Sequence, residues 1–496
     1  MITLKQVVNL LREEGLFCEL IVHNDWHYQV PDEIAQQSFQ HVDYDSRKVG
    51  QNTLYICKGL HFKEEYLHSA IKDGAKAYLS EKNYQTNIPG IIVNDIQKAM
   101  AVVARAFYRY PDKDITTIGI TGTKGKTTST YMLRYILTEA TNHKVAQTSS
   151  SKIILDGFTE IESNLTTPES LDLFRYLREA VDNGMEYFVM EVSSQAYKLK
   201  RVYGITFDIG TFLNISPDHI SDIEHPHFSE YINCNLELLN HSKQVVLNQE
   251  SDYLNFIEEY LQFHKIPYTL YGARKTADYY YTDIEGLTFE IHNDADHYEQ
   301  EFNITMPGRF NVSNAAGAIT IAKLLKIADE DIRRGLQKTV VAGRMEKAES
   351  STGKIVYVDF AHNYLSMKEC LQFLRLTYPD AKLFAITGSI GGKAKNRRVG
   401  LGKAMSEIAD IAIITSEDSM DEDPQAIMQE IASGLDPKMD YMMIEDRDEA
   451  IKTAITQAKP GDVVLIAGKG YEQFFKCKGE TIPYIGDLAT AKKYLD

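Results

Sequence analysis

The strongest constraint in the chain lies at residues 116–128. Thr116-Thr117-Ile118-Gly119-Ile120 is a β-branched run, Gly122-Thr123-Lys124-Gly125 is a glycine turn, and Lys126-Thr127-Thr128 opens a helical stretch that reaches about Ala140. A strand that feeds a glycine loop at a helix start is an anion cradle. Glycines let backbone N–H groups approach a phosphate, and the helix N-terminus adds partial positive charge. Lys126 is placed to reach the outer phosphates, and the Thr127 hydroxyl to ligate magnesium. The common spacing G-x-x-x-x-G-K-[ST] is not met, because its first glycine would fall on Ile120. A plain glycine turn is the competing reading; the coincidence of strand, loop, Lys-Thr and helix weighs against it.

With 496 residues, a prior of roughly 150 residues per domain suggests about three domains. Lysine and arginine total 53 against 70 acidic residues, a net charge of −17. Such a chain repels nucleic acid and anionic membranes, so neither is an expected partner, while local basic spots can still hold a small phosphate ligand. Cys18, Cys57, Cys234, Cys370 and Cys477 show no C-x-x-C spacing, which argues against zinc or a disulfide framework and fits a reducing compartment. The N-terminus reads as a short amphipathic helix, not a signal peptide, and no run of about 18 apolar residues exists. A cytoplasmic monomer is expected.

Strand-like runs at 54–57 and 90–93 and a helix from Asp95 to Tyr108 precede the polar turn Pro111-Asp112-Lys113-Asp114, a plausible boundary. Strand candidates follow at 187–190 and 244–247, and again at 355–358, 383–386, 411–414 and 463–466, with helical stretches between. This alternation predicts an α/β protein of mostly parallel sheets with helices on both faces, and polar residues at strand ends where open sheets bind ligands. Residues 275–305, rich in Tyr, Thr, Asp and Glu, read as antiparallel strands. The expected domains are 1–112, 113–339 and 340–496.

The loop Gly122-Thr123-Lys124-Gly125-Lys126-Thr127-Thr128 resembles the nucleotide loop of the Mur ligases, which build the peptide stem of cell-wall precursors. The resemblance extends to Asp45-Ser46-Arg47, Leu165-Thr166-Thr167-Pro168-Glu169, Glu191-Val192-Ser193-Ser194-Gln195 and Asn214-Ile215-Ser216-Pro217-Asp218-His219. It continues at Gly308-Arg309-Phe310-Asn311, Gly343-Arg344-Met345-Glu346, Asp359-Phe360-Ala361-His362 and Gly468-Lys469-Gly470-Tyr471-Glu472. Within the family, the Thr-Thr-Pro-Glu and Glu-Val-Ser-Ser elements resemble members that add the third residue, in the L-lysine-adding form of Gram-positive cocci.

The resemblance implies three domains: an N-terminal UDP-sugar-binding domain, a central P-loop-type ATP-binding domain and a C-terminal Rossmann-like domain for the amino acid. It implies ATP and Mg2+ as cofactors and an acyl-phosphate intermediate. Gly122, Thr123, Lys124, Gly125, Lys126, Thr127, Thr128, Asn214, Arg344 and Asp359 would contact ATP. Lys126, Glu191 and His219 would form the catalytic set. Thr127, Glu191 and His219 would hold metal, with Glu191 shared between two magnesium ions. Ser46 and Arg47 match the uridine segment, and Thr166, Thr167, Ser193 and Arg201 the muramoyl-dipeptide segment. Thr166-Thr167-Pro168-Glu169 also reads as a helix N-cap. Taken singly, Glu191 and His219 could be ordinary polar residues.

Two departures matter. Most family members carry a carbamylated lysine where alignment on Tyr231 places Asn235, which brings no negative charge; Glu237 is a nearby substitute. Diaminopimelate-adding relatives have an arginine where Glu417-Asp418-Ser419-Met420 stands here. Without that bidentate partner for a second carboxylate, Glu417, Asp418 and Glu472 would instead favour an ammonium, with Lys393 on the α-carboxylate. The expected function is ATP-dependent addition of L-lysine to UDP-N-acetylmuramoyl-L-alanyl-D-glutamate. A diverged paralogue using another amine or acceptor, and an ATP-binding protein without ligase activity, are the alternatives.

Overall fold

Local chemistry sets the first helix. Apolar residues at 4, 7, 8 and 11 form one buried stripe in α1 (Leu4–Glu13), and a capping box between Thr3 and Gln6 fixes its start. The computed structural model describes every residue except 60, 61, 218, 219, 222, 223, 307, 393, 394 and 496, and the side chain at 283. His219 and Lys393 therefore lie outside the described residues. The chain divides into two compact units, Met1–Ser216 with Ser229–Tyr271 and Ile319–Ile332, and Pro217–Phe228 with Gly272–Ala318 and Arg333–Asp496.

The first unit contains a mixed sheet of β1 (Phe17–Val22), β2 (Asp25–His27), β3 (His41–Asp43), β4 (Thr53–Ile56), β5 (Ala75–Ser80) and β6 (Gly90–Val93). Its order is β2-β1-β6-β5-β4-β3. Helix α2 (Ile96–Phe107), capped by Asp95, packs against α1.

After the Pro111–Lys113 turn comes a second set of strands: β7 (Thr116–Thr121), β8 (Val145–Thr148), β9 (Lys152–Ile154), β10 (Glu160–Glu162), β11 (Tyr187–Glu191), β12 (Phe207–Phe212), β13 (Ser242–Asn248) and β14 (Tyr268–Gly272). They run in the order β10-β9-β8-β11-β7-β12-β13-β14. From β8 to β14 each neighbouring pair is parallel, while β9 and β10 form an antiparallel edge. Central β7 buries Thr117 and Ile118, adjacent residues that point to opposite faces, as a strand covered on both faces requires. Helices α3 (Lys126–Thr141), α4 (Ser170–Asp182) and α5 (Phe228–Asn240) connect these strands. Helix α4 corrects one sequence expectation. Its N-cap is Glu169, with no side-chain cap bond, and the Thr167 hydroxyl donates instead to Glu191 O at 2.9 Å.

In the second unit, β15 (Tyr279–Glu285), β16 (Thr288–Asn293) and β17 (Tyr298–Asn303) are antiparallel, as the polar-aromatic composition suggested. The remaining sheet comprises β18 (Glu346–Glu349), β19 (Ile355–Asp359), β20 (Leu383–Thr387), β21 (Ile411–Ile414), β22 (Asp440–Met443) and β23 (Val463–Ala467). Its order is β18-β19-β23-β20-β21-β22, parallel except for β18. Alternation along β19 sends Ile355 and Tyr357 into one core and Val356 and Val358 into another on the opposite face. Parallel pairing gathers the strand ends Asp359, Thr387, Ile414 and Ala467 along one edge, where ligands bind in such sheets.

Candidate active site

Strand β7 delivers Gly122 at φ +147° and Gly125 at φ +87°, both in the region that favours glycine. At Gly122 a Cβ would also stand 3.0 Å from Leu213 Cβ and 3.1 Å from Asn214 N, so the loop runs flush against the residues that follow β12. Asn214 grips the loop with backbone and side chain. Its carbonyl accepts from Thr123 N at 3.0 Å, its Oδ1 accepts from Lys124 N at 2.9 Å, and its Nδ2 donates to Lys124 O at 3.0 Å. The Lys126 ammonium arches back over the loop, 2.6 Å from Gly122 O and 3.3 Å from Thr123 O. Helix α3 has no acidic residue in its first turn, so its positive end is left for an anion.

Beside the loop, β11 ends in Glu191, opposite Ile120 of β7. This carboxylate has no solvent exposure. Its Oε1 accepts from Ser150 N at 2.9 Å and its Oε2 lies 3.0 Å from Ser150 Oγ. Among the described residues no cationic side chain pairs with it. A buried carboxylate held by neutral donors among the described residues, and the Thr127 hydroxyl in the first turn of α3, are hard oxygens of the kind that suit a divalent cation. Asn235 adds nothing anionic to that set. It is buried in α5, its Oδ1 accepting from Thr121 Oγ1 at 2.7 Å and its Nδ2 donating to Tyr231 O at 2.8 Å. Glu237 turns to His241, 3.6 Å from Nδ1. One helical turn before Asn235, the Tyr231 hydroxyl lies 3.0 Å from Thr123 Oγ1, so α5 touches the strand end and the loop together.

Thr166, Thr167, Ser193 and Arg201 come together near Glu191. Thr166 Oγ1 lies 3.1 Å from Ser150 Oγ, Ser193 N donates to Thr167 Oγ1 at 3.0 Å, and Arg201 reaches Thr167 O at 3.3 Å. Ser46 and Arg47 form a short 3-10 turn after β3, where Arg47 is highly exposed and paired with Asp45 at 2.8 Å.

In the second unit, Arg344 stands 5.1 Å over the Phe360 ring beside buried Asp359, whose Oδ2 accepts from Met345 N at 2.8 Å. Burial raises the Asp359 pKa, and Arg344 opposes the rise. Past β21, Glu417 lies against the ends of β20 and β23: a Cβ on Gly388 would meet Glu417 Cβ at 3.0 Å, and one on Gly468 would meet Oε2 at 2.7 Å. That Oε2 is shielded from solvent and makes no hydrogen bond among the described residues. Burial pushes the Glu417 pKa up to about 7, with Arg447 and Lys469 pulling it down.

Asp418 and Glu472 are placed differently from Glu417. Lys469, fully buried, binds Asp418 Oδ1 and Glu472 Oε2, each at 2.8 Å. Arg447 is likewise paired with buried Asp487 at 2.7 Å. Lys469 and Arg447 offset only part of the charge of Glu417, Asp418, Glu472 and Asp487, so this cluster of described residues keeps a negative balance. Lys469 received no role in the sequence reading. Its flanking glycines, both at positive φ, were the available signal, since they let the backbone turn a lysine inward.

A glycine phosphate loop on a parallel sheet, with a second α/β sheet carrying charged strand ends, defines a P-loop-type α/β protein with a Rossmann-like companion domain. The Mur ligase middle domain matches residues 120–322, and the Mur ligase glutamate ligase domain matches residues 343–470. A UDP-N-acetylmuramoyl-L-alanyl-D-glutamate--L-lysine ligase of Enterococcus faecalis is 43% identical, covering 100% of this chain and 99% of its own. A UDP-N-acetylmuramyl-tripeptide synthetase of Lactococcus lactis subsp. cremoris is 41% identical, with 100% of both chains covered. Among solved structures, a UDP-N-acetylmuramoyl-L-alanyl-D-glutamate--2,6-diaminopimelate ligase superposes with TM-score 0.66 at 24% identity, covering 94% of this chain and 97% of that one. A MurF ligase from Thermotoga maritima in complex with ADP gives TM-score 0.63 at 16% identity, covering 92% and 97%. These two likenesses concern the fold. The chain belongs to the Mur ligase family.

Proposed function

We propose that this chain uses ATP to join L-lysine to UDP-N-acetylmuramoyl-L-alanyl-D-glutamate, in an N-terminal UDP-sugar domain (1–112), a central ATP domain (113–339) and a C-terminal amino-acid domain (340–496). The observation that carries the reading is the pairing of the Gly122–Thr128 loop with buried Glu191 at the adjoining strand end, whose carboxylate has no cationic partner among the described residues. Lys126 and the α3 N-terminus would neutralise the phosphates, while Thr127 and Glu191 would hold magnesium, which supplies charge neutralisation on the transferred phosphoryl group. His219 would complete the catalytic set and ligate metal with Glu191. Arg344 and Asp359 would contact ATP from the C-terminal domain.

The acceptor carboxylate, held by Thr166, Thr167, Ser193 and Arg201 with the uridine end near Ser46 and Arg47, attacks the γ-phosphorus, and ADP leaves. The lysine α-amine then attacks the acyl carbon of the resulting acyl phosphate. Phosphate departs, the amine loses its proton, and the amide forms. Excluding water from the acyl phosphate protects it from hydrolysis. Lys393 would bind the α-carboxylate of the incoming amino acid. Glu417 would take its distal ammonium, because Asp418 and Glu472 already share Lys469. The local negative balance and Met420 in place of a guanidinium disfavour a second carboxylate there.

Phosphate release with the UDP-dipeptide acceptor and each of L-lysine, L-ornithine and meso-diaminopimelate tests the reading. Turnover is expected with L-lysine and lost at least about a hundredfold in Lys126→Ala, the scale of removing one preorganised charge donor. Turnover only with diaminopimelate would overturn the charge argument, and undiminished turnover in Lys126→Ala would show that the phosphates bind elsewhere.

A further inference from the structure

Lys58, just after β4, reaches Glu169, the residue before α4, in an ion pair whose side chains retain 15% and 18% of their exposure. Glu169 also holds Arg201, Oε1 lying 3.0 Å from Nη2. The Lys58 ammonium stands 4.5 Å over the Tyr44 ring, and the Tyr44 hydroxyl donates to Asp172 Oδ2 at 2.5 Å. Burial and Asp172 drive the Tyr44 phenol far above its ordinary range, so it remains a donor. Two polar joints, Tyr44–Asp172 two residues before Ser46 and Lys58–Glu169 after the neighbouring strand β4, thus tie the ends of β3 and β4 to the start of α4, two residues after Thr167.

These are the two ends of the acceptor site in the ligase reading, on which this inference rests. We propose that Tyr44, Lys58, Glu169 and Asp172 are positioning residues that latch the uridine side of the acceptor site to its dipeptide side. One covalently continuous molecule must reach both segments. If their separation is fixed beforehand, the second contact is nearly intramolecular and costs little additional ordering. The latch therefore strengthens binding of the intact acceptor and leaves either half, bound alone, largely unaffected. A part that only supports the fold would weaken both halves as well.

The experiment compares the full chain with Lys58→Met and Tyr44→Phe, the latter keeping the ring beneath Lys58 while removing the hydroxyl. KM is measured for the UDP-dipeptide acceptor and for ATP. The inhibition constants of UDP alone and of the muramoyl-dipeptide alone are measured alongside. Lys58→Met is expected to raise KM for the intact acceptor about tenfold, with Tyr44→Phe a smaller step in the same direction. KM for ATP and both inhibition constants should move less than about twofold. An unchanged acceptor KM, or halves that weaken in proportion, overturns the latch. Failure of the unaltered chain to turn over the acceptor overturns the ligase reading itself, and the latch with it.

Discussion

A carboxylate that titrates near neutrality changes its charge within the range where the protein works, and Glu417 is such a group. Its pKa stands at about 7 because burial disfavours the anion more than Arg447 and Lys469 favour it. The sign follows directly. Below pH 7 the carboxyl is neutral and would attract the proposed lysine ammonium weakly; above it the desolvated anion would attract it strongly. KM for L-lysine should therefore fall as pH rises from 6 to 8. Glu417→Gln should raise KM about tenfold at pH 8 and flatten the profile across that window. Initial rates over a pH series would decide, and an identical slope in the variant would remove Glu417 from the lysine site. The sequence placed Glu417, Asp418 and Glu472 together as acidic residues. It did not separate them, because the partner that distinguishes them, Lys469, is 51 positions from Asp418 and is brought there only by the neighbouring ends of β20, β21 and β23.

At the scale of elements, β7, its loop and α3 were legible because three local signals agree: β-branched residues, then glycine, then a helix start. The loop's support was not. By resemblance Asn214 is expected only to contact ATP; the fold adds that both ends of its amide engage the backbone of Lys124, 90 residues away. No local pattern encodes a hydrogen bond across two parallel strands. The Thr167 cap was misread for a related reason: a hydroxyl placed before Pro-Glu suits a helix start, but a carbonyl at the end of β11 outcompeted the helix for it. The Asn214 clamp leads to a prediction about the element as a whole. Asn214→Ala removes two hydrogen bonds of about 1 kcal/mol each and frees the loop to sample geometries that aim fewer N–H groups at a phosphate. Calorimetric titration should show ADP binding weakened about tenfold, with overall helix content unchanged by circular dichroism. Unaltered ADP affinity would mean the loop holds its shape without the clamp.

For the whole molecule, the sequence foresaw parallel sheets and strand-end sites, since hydrophobic runs and the glycines after them recur along the chain. The way those sheets group into cores is a matter of long-range packing. The first unit has a core running from Ile2 to Leu238, and the second has cores on both faces of its sheet, between Met345 and Leu495; these three share no member among the described residues. Cores without common members need not lose order together, and multidomain chains commonly depart from a single transition. The phosphate loop belongs to the first unit, whereas the Arg447–Asp487 pair, 1% and 0% exposed, belongs to the second. Scanning calorimetry should then resolve two transitions. ADP, held chiefly through the phosphate loop of the first unit, should raise that unit's transition more than the other by mass action. Arg447→Met should lower the other, because it strands Asp487 as an uncompensated buried charge at a cost of about 3–5 kcal/mol. If ADP and Arg447→Met shift one and the same transition, the two units melt as a single cooperative body, and their separate cores do not translate into separate stabilities.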